Sequence, residues 1–138
     1  MELNPPISPD ELAVVDANRL PTQAKVIVQL IGIEDAWALM SQYGGRSIQI
    51  PVGMRSDTYL HRTVSFMSAE ALIGHWAGER LILPKNNKIS QQIRDYRIFN
   101  SRKQGMTVPK LARLFDLSSR SIILICQRMS GSTFSQIK

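Results

Sequence analysis

The residues best suited to chemistry in this sequence are cationic, and they cluster in its last third. Residues 88–138 hold ten Lys and Arg against two acids, a net charge of +8, whereas residues 1–87 hold seven bases against nine acids, a net charge of −2. A phosphate backbone favours such a basic surface, because each neutralised phosphate releases condensed counterions. We therefore expect a DNA-facing surface made by Lys88, Arg94, Arg97, Arg102, Lys103, Lys110, Arg113, Arg120 and Arg128.

The apolar spacing of residues 108–127 predicts a helix-turn-helix that would carry much of this charge. Apolar residues fall where two short helices crossing at a tight turn must face each other: Leu111, Phe115, Leu117, Ile122 and Ile125. Ser118 and Ser119 follow the turn and can cap the second helix, which we expect to enter a DNA major groove. Asp116 occupies the turn position that usually carries Gly, and Asp tolerates a left-handed backbone better than most residues. An ordinary helical hairpin is the alternative interpretation.

No residue pattern indicates an enzyme or a cofactor. The adjacent acids Asp10 and Glu11, and likewise Glu34 and Asp35, point to different sides of a helix, so neither pair can converge on a substrate. Phosphate-cradling glycine loops are absent. We expect a protein without catalytic residues.

Cysteine, histidine and hydropathy narrow the class of protein further. The single Cys126 excludes an internal disulfide framework, and His61 and His75 have no patterned partners that would indicate a metal site. There is no apolar run near 18 residues and no signal-peptide pattern, so we expect neither a membrane span nor secretion, and a cytoplasmic location.

The N-terminal part, residues 1–84, contains a helix, glycine, strand and proline unit that occurs twice. At an offset of 33 residues, seven positions match like for like. They pair Leu39 with Leu72, Met40 with Ile73, Tyr43 with Trp76, Gly45 with Gly78, Ile48 with Leu81, Ile50 with Leu83, and Pro51 with Pro84. Short strands cannot stand unpaired, so these two pair either within one chain or between two chains.

Other segments receive simpler predictions. A capping box at Ser8 begins a short helix, residues 24–31 form a buried helix or alternatively a strand, and residues 34–43 form a helix. Residues 52–67 stay unassigned. The organisation we expect is an N-terminal dimerisation domain over residues 1–84, a linker over 85–87, a DNA-binding domain over 88–129 and a frayed tail over 130–138. The first helix of the DNA-binding domain, about residues 88–100, should pack Ile89, Ile93, Tyr96 and Phe99 on the helix-turn-helix.

Three stretches resemble the Mor and C family of phage transcription activators: GGRSIQIP, its echo AGERLILP, and ISQQIRDYRIFNSRKQGMTVPKLARLFDLSSRSIILICQRM. The resemblance covers roughly residues 20–129. It implies a mainly α fold with a small β element, and a dimer with intertwined N-terminal domains. It also implies binding to a dyad-symmetric promoter element and recruitment of host RNA polymerase. The family pattern places DNA contacts at Gly78 and Arg80 and, on the recognition helix, at Ser119, Arg120, Ile123, Leu124 and Gln127. The doubled unit departs from the shortest form of the pattern, in which one unit suffices.

These observations lead to specific roles and to one competing function. Arg120 and Gln127 are expected to read bases of double-stranded DNA, while Lys110 and Arg113 hold its phosphates. We expect a homodimer held by the N-terminal region through Ile48, Ile50, Leu81 and Leu83, with Trp37 and Trp76 as core or interface residues. A DNA-binding assembly protein, such as a small terminase subunit, is the alternative from another class, and the targeting part of a recombinase is a third.

Overall fold

A computed structural model describes residues 6–53 and 59–137, and the chain divides into two compact units, Met1–Ser90 and Gln91–Lys138. The described residues form eight α-helices and one antiparallel pair of strands, which confirms the predicted class of a mainly helical protein with a small β element. In chain order these are α1 Pro9–Leu12, α2 Thr22–Ile31, α3 Ile33–Tyr43, β1 Ser47–Gln49, α4 Tyr59–Thr63, α5 Phe66–Trp76, β2 Arg80–Ile82, α6 Asn87–Lys103, α7 Val108–Phe115 and α8 Ser119–Ile137, with a 3₁₀ turn at Ala17–Arg19. None of the helices in the described ranges combines the length and apolar character that crossing a bilayer requires.

Helix starts in the first unit follow their sequence signals. The Ser8 hydroxyl accepts from the Glu11 backbone N–H and the Glu11 carboxylate accepts from the Ser8 N–H, which is the predicted capping box. Residues 24–31 are helical rather than extended, within a helix that buries Ala24 and Ile27. Gly32, at φ +87°, ends that helix where a residue with a β-carbon would be strained.

The two repeated units fold alike. Each consists of an eleven-residue helix followed by a three-residue strand, α3 with β1 and α5 with β2. Equivalent apolar positions are buried in both copies, namely Leu39 and Leu72, Met40 and Ile73, Ile48 and Leu81, and Ile50 and Leu83. The repeat detected in the sequence is therefore a repeat of structure.

Hydrogen bonds between the two helix–strand repeats of the first unit are related by the same offset of 33 residues. The Gly45 N–H donates to the Leu83 carbonyl at 2.9 Å, and the equivalent Gly78 N–H donates to the Ile50 carbonyl at 3.1 Å. Both glycines have positive φ, +82° and +75°, which turns the backbone from the helix into the strand. The strand register is symmetric as well, with Ser47 opposite Ile82, Ile48 opposite Leu81 and Gln49 opposite Arg80. The first unit thus contains an approximate internal two-fold axis.

Strand pairing within the chain decides between the two alternatives that the sequence leaves open. The expectation of a β element shared between two subunits is wrong for this fold, because the partner of β1 is β2 of the same chain. Ile48, Ile50, Leu81 and Leu83 are at most 7% exposed in the single chain and form part of its own core. Trp37 and Trp76, the remaining residues expected at a dimer interface, are half-buried.

The unassigned segment 52–67 contains the start of ordered helices. Residues 54–58 lie outside the described residues, and the chain is helical from Tyr59 to Thr63. Ser65 then caps α5, and the Asp35 carboxylate on α3 accepts hydrogen bonds from the Ser65 and Ser68 hydroxyls. This polar cluster fixes the start of α5 beside α3.

Helices α6 and α8 both extend further along the chain than the sequence predicted. Helix α6 begins at Asn87 and continues to Lys103, three residues beyond the expected end. Helix α8 continues to Ile137, so the frayed tail predicted after Met129 is wrong for residues 130–137. Residues 130–137 contain no glycine beyond Gly131 and no proline, so no strong helix breaker ends the helix earlier.

Candidate nucleic-acid interface

Helix α7 and the turn after it adopt the geometry that the sequence predicts for a helix-turn-helix. Thr107 caps α7 by accepting from the Lys110 N–H, and Pro109 occupies the first turn, where no N–H donor is needed. Asp116 takes the left-handed conformation, at φ +54° and ψ +49°. Ser118 caps α8 by accepting from the Ser121 N–H at 3.1 Å, whereas Ser119 is the first helical residue. Of the two serines, Ser118 is therefore the cap.

The apolar residues of the motif meet in one cluster. Its buried members are Ile98, Leu111, Ile122 and Ile125, and Ala112, Phe115, Leu117, Cys126 and Met129 are among the residues packed against them. This confirms that the apolar residues predicted to face each other across the turn pack together. Helix α6 contributes Ile98 to the cluster, a residue outside the predicted stripe of Ile89, Ile93, Tyr96 and Phe99. In the described part of the chain, the stripe residues Ile89, Ile93, Tyr96 and Phe99 are not among the members of this cluster.

The side of α8 opposite this core is exposed. Ile122 and Ile125 are at most 5% exposed, whereas Ile123 and Leu124 between them are 43% and 48% exposed. The predicted base-reading residues all belong to the exposed set, which comprises Ser118, Ser119, Arg120, Ile123, Leu124 and Gln127. With 3.6 residues per turn, Arg120, Ile123, Leu124 and Gln127 lie on one side of the helix. The surface of α8 is therefore a mixed strip of cation, amide and aliphatic groups.

Helix α7 adds two cations and one apolar side chain to the surface of the second unit. Lys110 and Arg113 are exposed, as expected for residues that would contact phosphates. Leu114, beside Arg113, is 62% exposed although it belongs to an amphipathic helix. The sequence pattern did not single out Leu114, because it shows only that Leu111 and Phe115 occupy the inward positions.

The cations of α6 are less available than their number suggests. Arg94 was expected on the DNA-facing surface, but its side chain is 15% exposed and its Nε and Nη2 atoms donate to Asp95 at 3.2 and 2.9 Å. Arg97 is half-buried. Arg94 is thus occupied by an ion pair within the protein, and charge counting along the sequence gives no sign of this.

Asp95 makes ion pairs that sequence reasoning missed. Its side chain is 9% exposed, and its second oxygen accepts from Arg128 Nη2 on α8 at 2.6 Å. A carboxylate removed from water is costly unless it is paired and hydrogen-bonded, and here both oxygens have a guanidinium partner. The available signal was one acid beside Arg94 in an otherwise basic segment. Asp95 connects α6 to α8.

Two further cations lie at the end of α6, and both are exposed. Arg102 donates to the Met106 carbonyl at 3.3 Å, and Lys103 lies over the Phe99 ring with Nζ 5.3 Å from the centroid.

Burial raises the pKa of the nearby Cys126 thiol, and the positive charge of Arg102 opposes this in part. Cys126 is therefore a packing residue with little thiolate at neutral pH.

Gly78 and Arg80, the DNA contacts that the family pattern implies outside the helix-turn-helix, lie in the first unit. Gly78 precedes β2, and its carbonyl accepts from the Gln49 side chain at 2.8 Å. Arg80 opens β2 and donates from Nη1 to the Ser47 hydroxyl at 3.1 Å. Both residues are exposed.

Comparison with known proteins gives one result. Residues 54–137 match the family described as the Mor transcription activator family, which is more than half of the chain and includes α8. Curated proteins and solved structures give no significant match.

Proposed function

The chain belongs to the Mor transcription activator family, and from this membership we propose that it binds a promoter element in double-stranded DNA through its second unit and recruits host RNA polymerase there. We propose that the promoter is that of a phage or prophage, as the resemblance of residues 20–129 implies. Membership of this family identifies the chain as a transcription activator. The DNA contacts, the polymerase and the phage context are the proposal.

The exposed side of α8 carries this proposal. A helix of this kind fits the major groove, where base edges present distinct hydrogen-bond patterns. Arg120 and Gln127 have side chains that bond guanine and adenine in a bidentate way, and exposed Ile123 and Leu124 suit thymine methyl groups. Two large aliphatic residues exposed beside a buried core are otherwise unfavourable, and contact with base methyl groups gives them a role.

The remaining cations of the second unit have a positioning role in this proposal. Lys110 and Arg113 on α7 and Arg102 and Lys103 at the end of α6 are exposed, and contacts to phosphate from such residues fix the register of the helix without reading sequence. Ser118 and Ser119 at the start of α8 complete the set. Gly78 and Arg80 join it from the first unit only through the family resemblance.

We propose further that two copies bind a dyad-symmetric site, because one helix-turn-helix covers too few base pairs for useful specificity. Residues 1–84 are the proposed dimerisation region and residues 88–129 the proposed DNA-binding region. Since β1 and β2 pair within one chain, the dimer contact has to use a surface other than the paired strand edges. Trp37 and Trp76, both half-buried, remain candidates for that surface.

Selection of bound fragments from the source genome tests the function. We expect one or a few fragments with a two-fold symmetric element upstream of a transcription start, and stimulation of transcription in vitro from that fragment by the full chain. Binding without symmetry, or without an effect on transcription, would contradict the proposal.

Sedimentation of the full chain tests the stoichiometry. We expect a dimer at micromolar concentration or on the selected site. A closed ring of many copies would instead favour the small terminase alternative. A monomer that binds the full palindrome with undiminished affinity would remove the dimer.

A further inference from the structure

We propose that Asp95 is a positioning residue that holds Arg128 in place as a phosphate contact on the DNA-facing side of α8, an inference that rests on the proposed DNA binding. The charge pattern already placed Arg128 on the expected DNA-facing surface, whereas no role was expected for Asp95. The inference follows from how one buried carboxylate is shared between two arginines.

The geometry around Asp95 is well defined. Arg94 donates twice to one carboxylate oxygen, at 2.9 and 3.2 Å, and Arg128 donates to the other oxygen at 2.6 Å. The Asp95 residue is 6% exposed. At such burial a charge–charge hydrogen bond is stronger than in water, so the carboxylate restricts both guanidinium groups.

The two arginines differ in exposure. The Arg94 side chain is 15% exposed, whereas that of Arg128 is 51% exposed. One carboxylate balances one guanidinium, so the cluster retains a net positive charge, and Arg128 presents that charge to solvent. Arg94 acts as the internal counterion, and Arg128 is the member that can reach a ligand.

The place of Arg128 on α8 indicates which ligand. It follows Leu124 by four residues and Arg120 by eight, so it borders the exposed strip that is proposed to enter the groove. Phosphates line the groove on both sides, and arginine matches a phosphate with parallel N–H donors. An arginine already ordered by Asp95 loses less side-chain entropy when it binds. The ligand we assign to Arg128 is therefore a DNA backbone phosphate.

Salt titrations of DNA binding by full-chain variants test the phosphate contact. Arg128→Gln should bind the selected site more weakly and lower the log–log salt slope by about 0.9, the value for one phosphate. Arg19→Gln is the matched control, an exposed arginine of the first unit, and should leave the slope unchanged. An unchanged slope in Arg128→Gln would overturn the inference, whether or not any Asp95 variant folds.

A double-mutant cycle tests the positioning role. Asp95→Asn should weaken specific binding at least about threefold when Arg128 is present and should have no further effect in the Arg128→Gln background. Equal loss in both backgrounds would show that Asp95 is merely structural, and tighter binding by Asp95→Asn would show that the carboxylate only suppresses charge. Both results overturn the inference.

Arg120→Ala in the same titrations separates the inference about Arg128 from the proposed DNA binding on which it rests. A wild type that binds DNA, with loss in Arg120→Ala and no change in Arg128→Gln, refutes only the role of Arg128. A wild type without salt-dependent DNA binding refutes the proposed function and this inference together.

Discussion

The two compact units of this protein differ in the size of their apolar core and in the charge that they expose. Of the apolar residues buried within the described ranges, seventeen lie in Met1–Ser90 and five in Gln91–Lys138. The first unit gains its core from a repeated helix and strand that meet across an internal two-fold axis. The second has a small core, a buried acid between two arginines, and exposed cations on α6, α7 and α8. From this comparison we infer that the first unit mainly provides stability, whereas the second unit mainly exposes side chains that can contact a ligand.

A charge buried at the end of a repeat, directly after β1, should have the largest effect. Ile50→Asp places a carboxylate at a fully buried position, and we expect the first unit to lose about 4 kcal/mol or more of stability. Ile82→Asp, on the neighbouring strand but 72% exposed, is the matched control and should change stability by about 0.5 kcal/mol or less. Chemical denaturation followed by circular dichroism measures both. If Ile50→Asp kept a stable monomer and only dissociated a dimer, the strands would belong to an interface between subunits.

The neighbours Ile122 and Ile123 sharpen the comparison within α8. Ile122→Ala should destabilise the second unit by about 2 to 5 kcal/mol, because its side chain is fully buried in a small core. Ile123→Ala should leave stability nearly unchanged and weaken DNA binding instead. Hydrogen exchange of α7 and α8 amides, measured beside DNA affinity, separates the two effects. If Ile122→Ala weakened DNA binding and Ile123→Ala destabilised the second unit, α8 would present its other side to DNA.

Arg120 tests whether the second unit reads sequence or only binds charge. Arg120→Ala should cost roughly 1 to 3 kcal/mol on the selected site and much less on random DNA. Competition binding with both DNAs gives the two values. Equal losses would reduce Arg120 to a phosphate contact.

The turn residue Asp116 should give the smallest effect. Its left-handed backbone suits glycine better, so Asp116→Gly should stabilise the second unit by up to about 1 kcal/mol. Gly105→Ala, at φ +104°, is the opposite change and should destabilise it by about the same amount. Thermal unfolding reports both. Destabilisation by Asp116→Gly would show that the carboxylate makes a contact that outweighs the backbone strain.

Local signals predicted much of this fold because they act over a few residues. The cap at Ser118, the left-handed Asp116 and the spacing of Leu111, Ile122 and Ile125 each follow from neighbours along one helix or turn. The repeat was also visible, since both copies place the same residue types at the same offset. These features require no knowledge of distant contacts.

Features that depend on tertiary contacts were missed or left open. Whether β1 pairs with β2 or with another chain depends on the approach of residues 33 positions apart, which periodicity does not report. The ion pair of Asp95 with Arg128 depends likewise on the approach of residues 33 positions apart. The sequence therefore predicted which side chains are exposed well along α8 and less well along α6.

The salt dependence of wild-type binding to the selected site tests the central claim, DNA binding by the basic second unit, most directly. About six phosphate contacts would give a slope of log affinity against log salt concentration near −5. A nearly constant affinity between about 50 and 200 mM salt would contradict the claim, because a surface that releases few counterions does not bind the phosphate backbone.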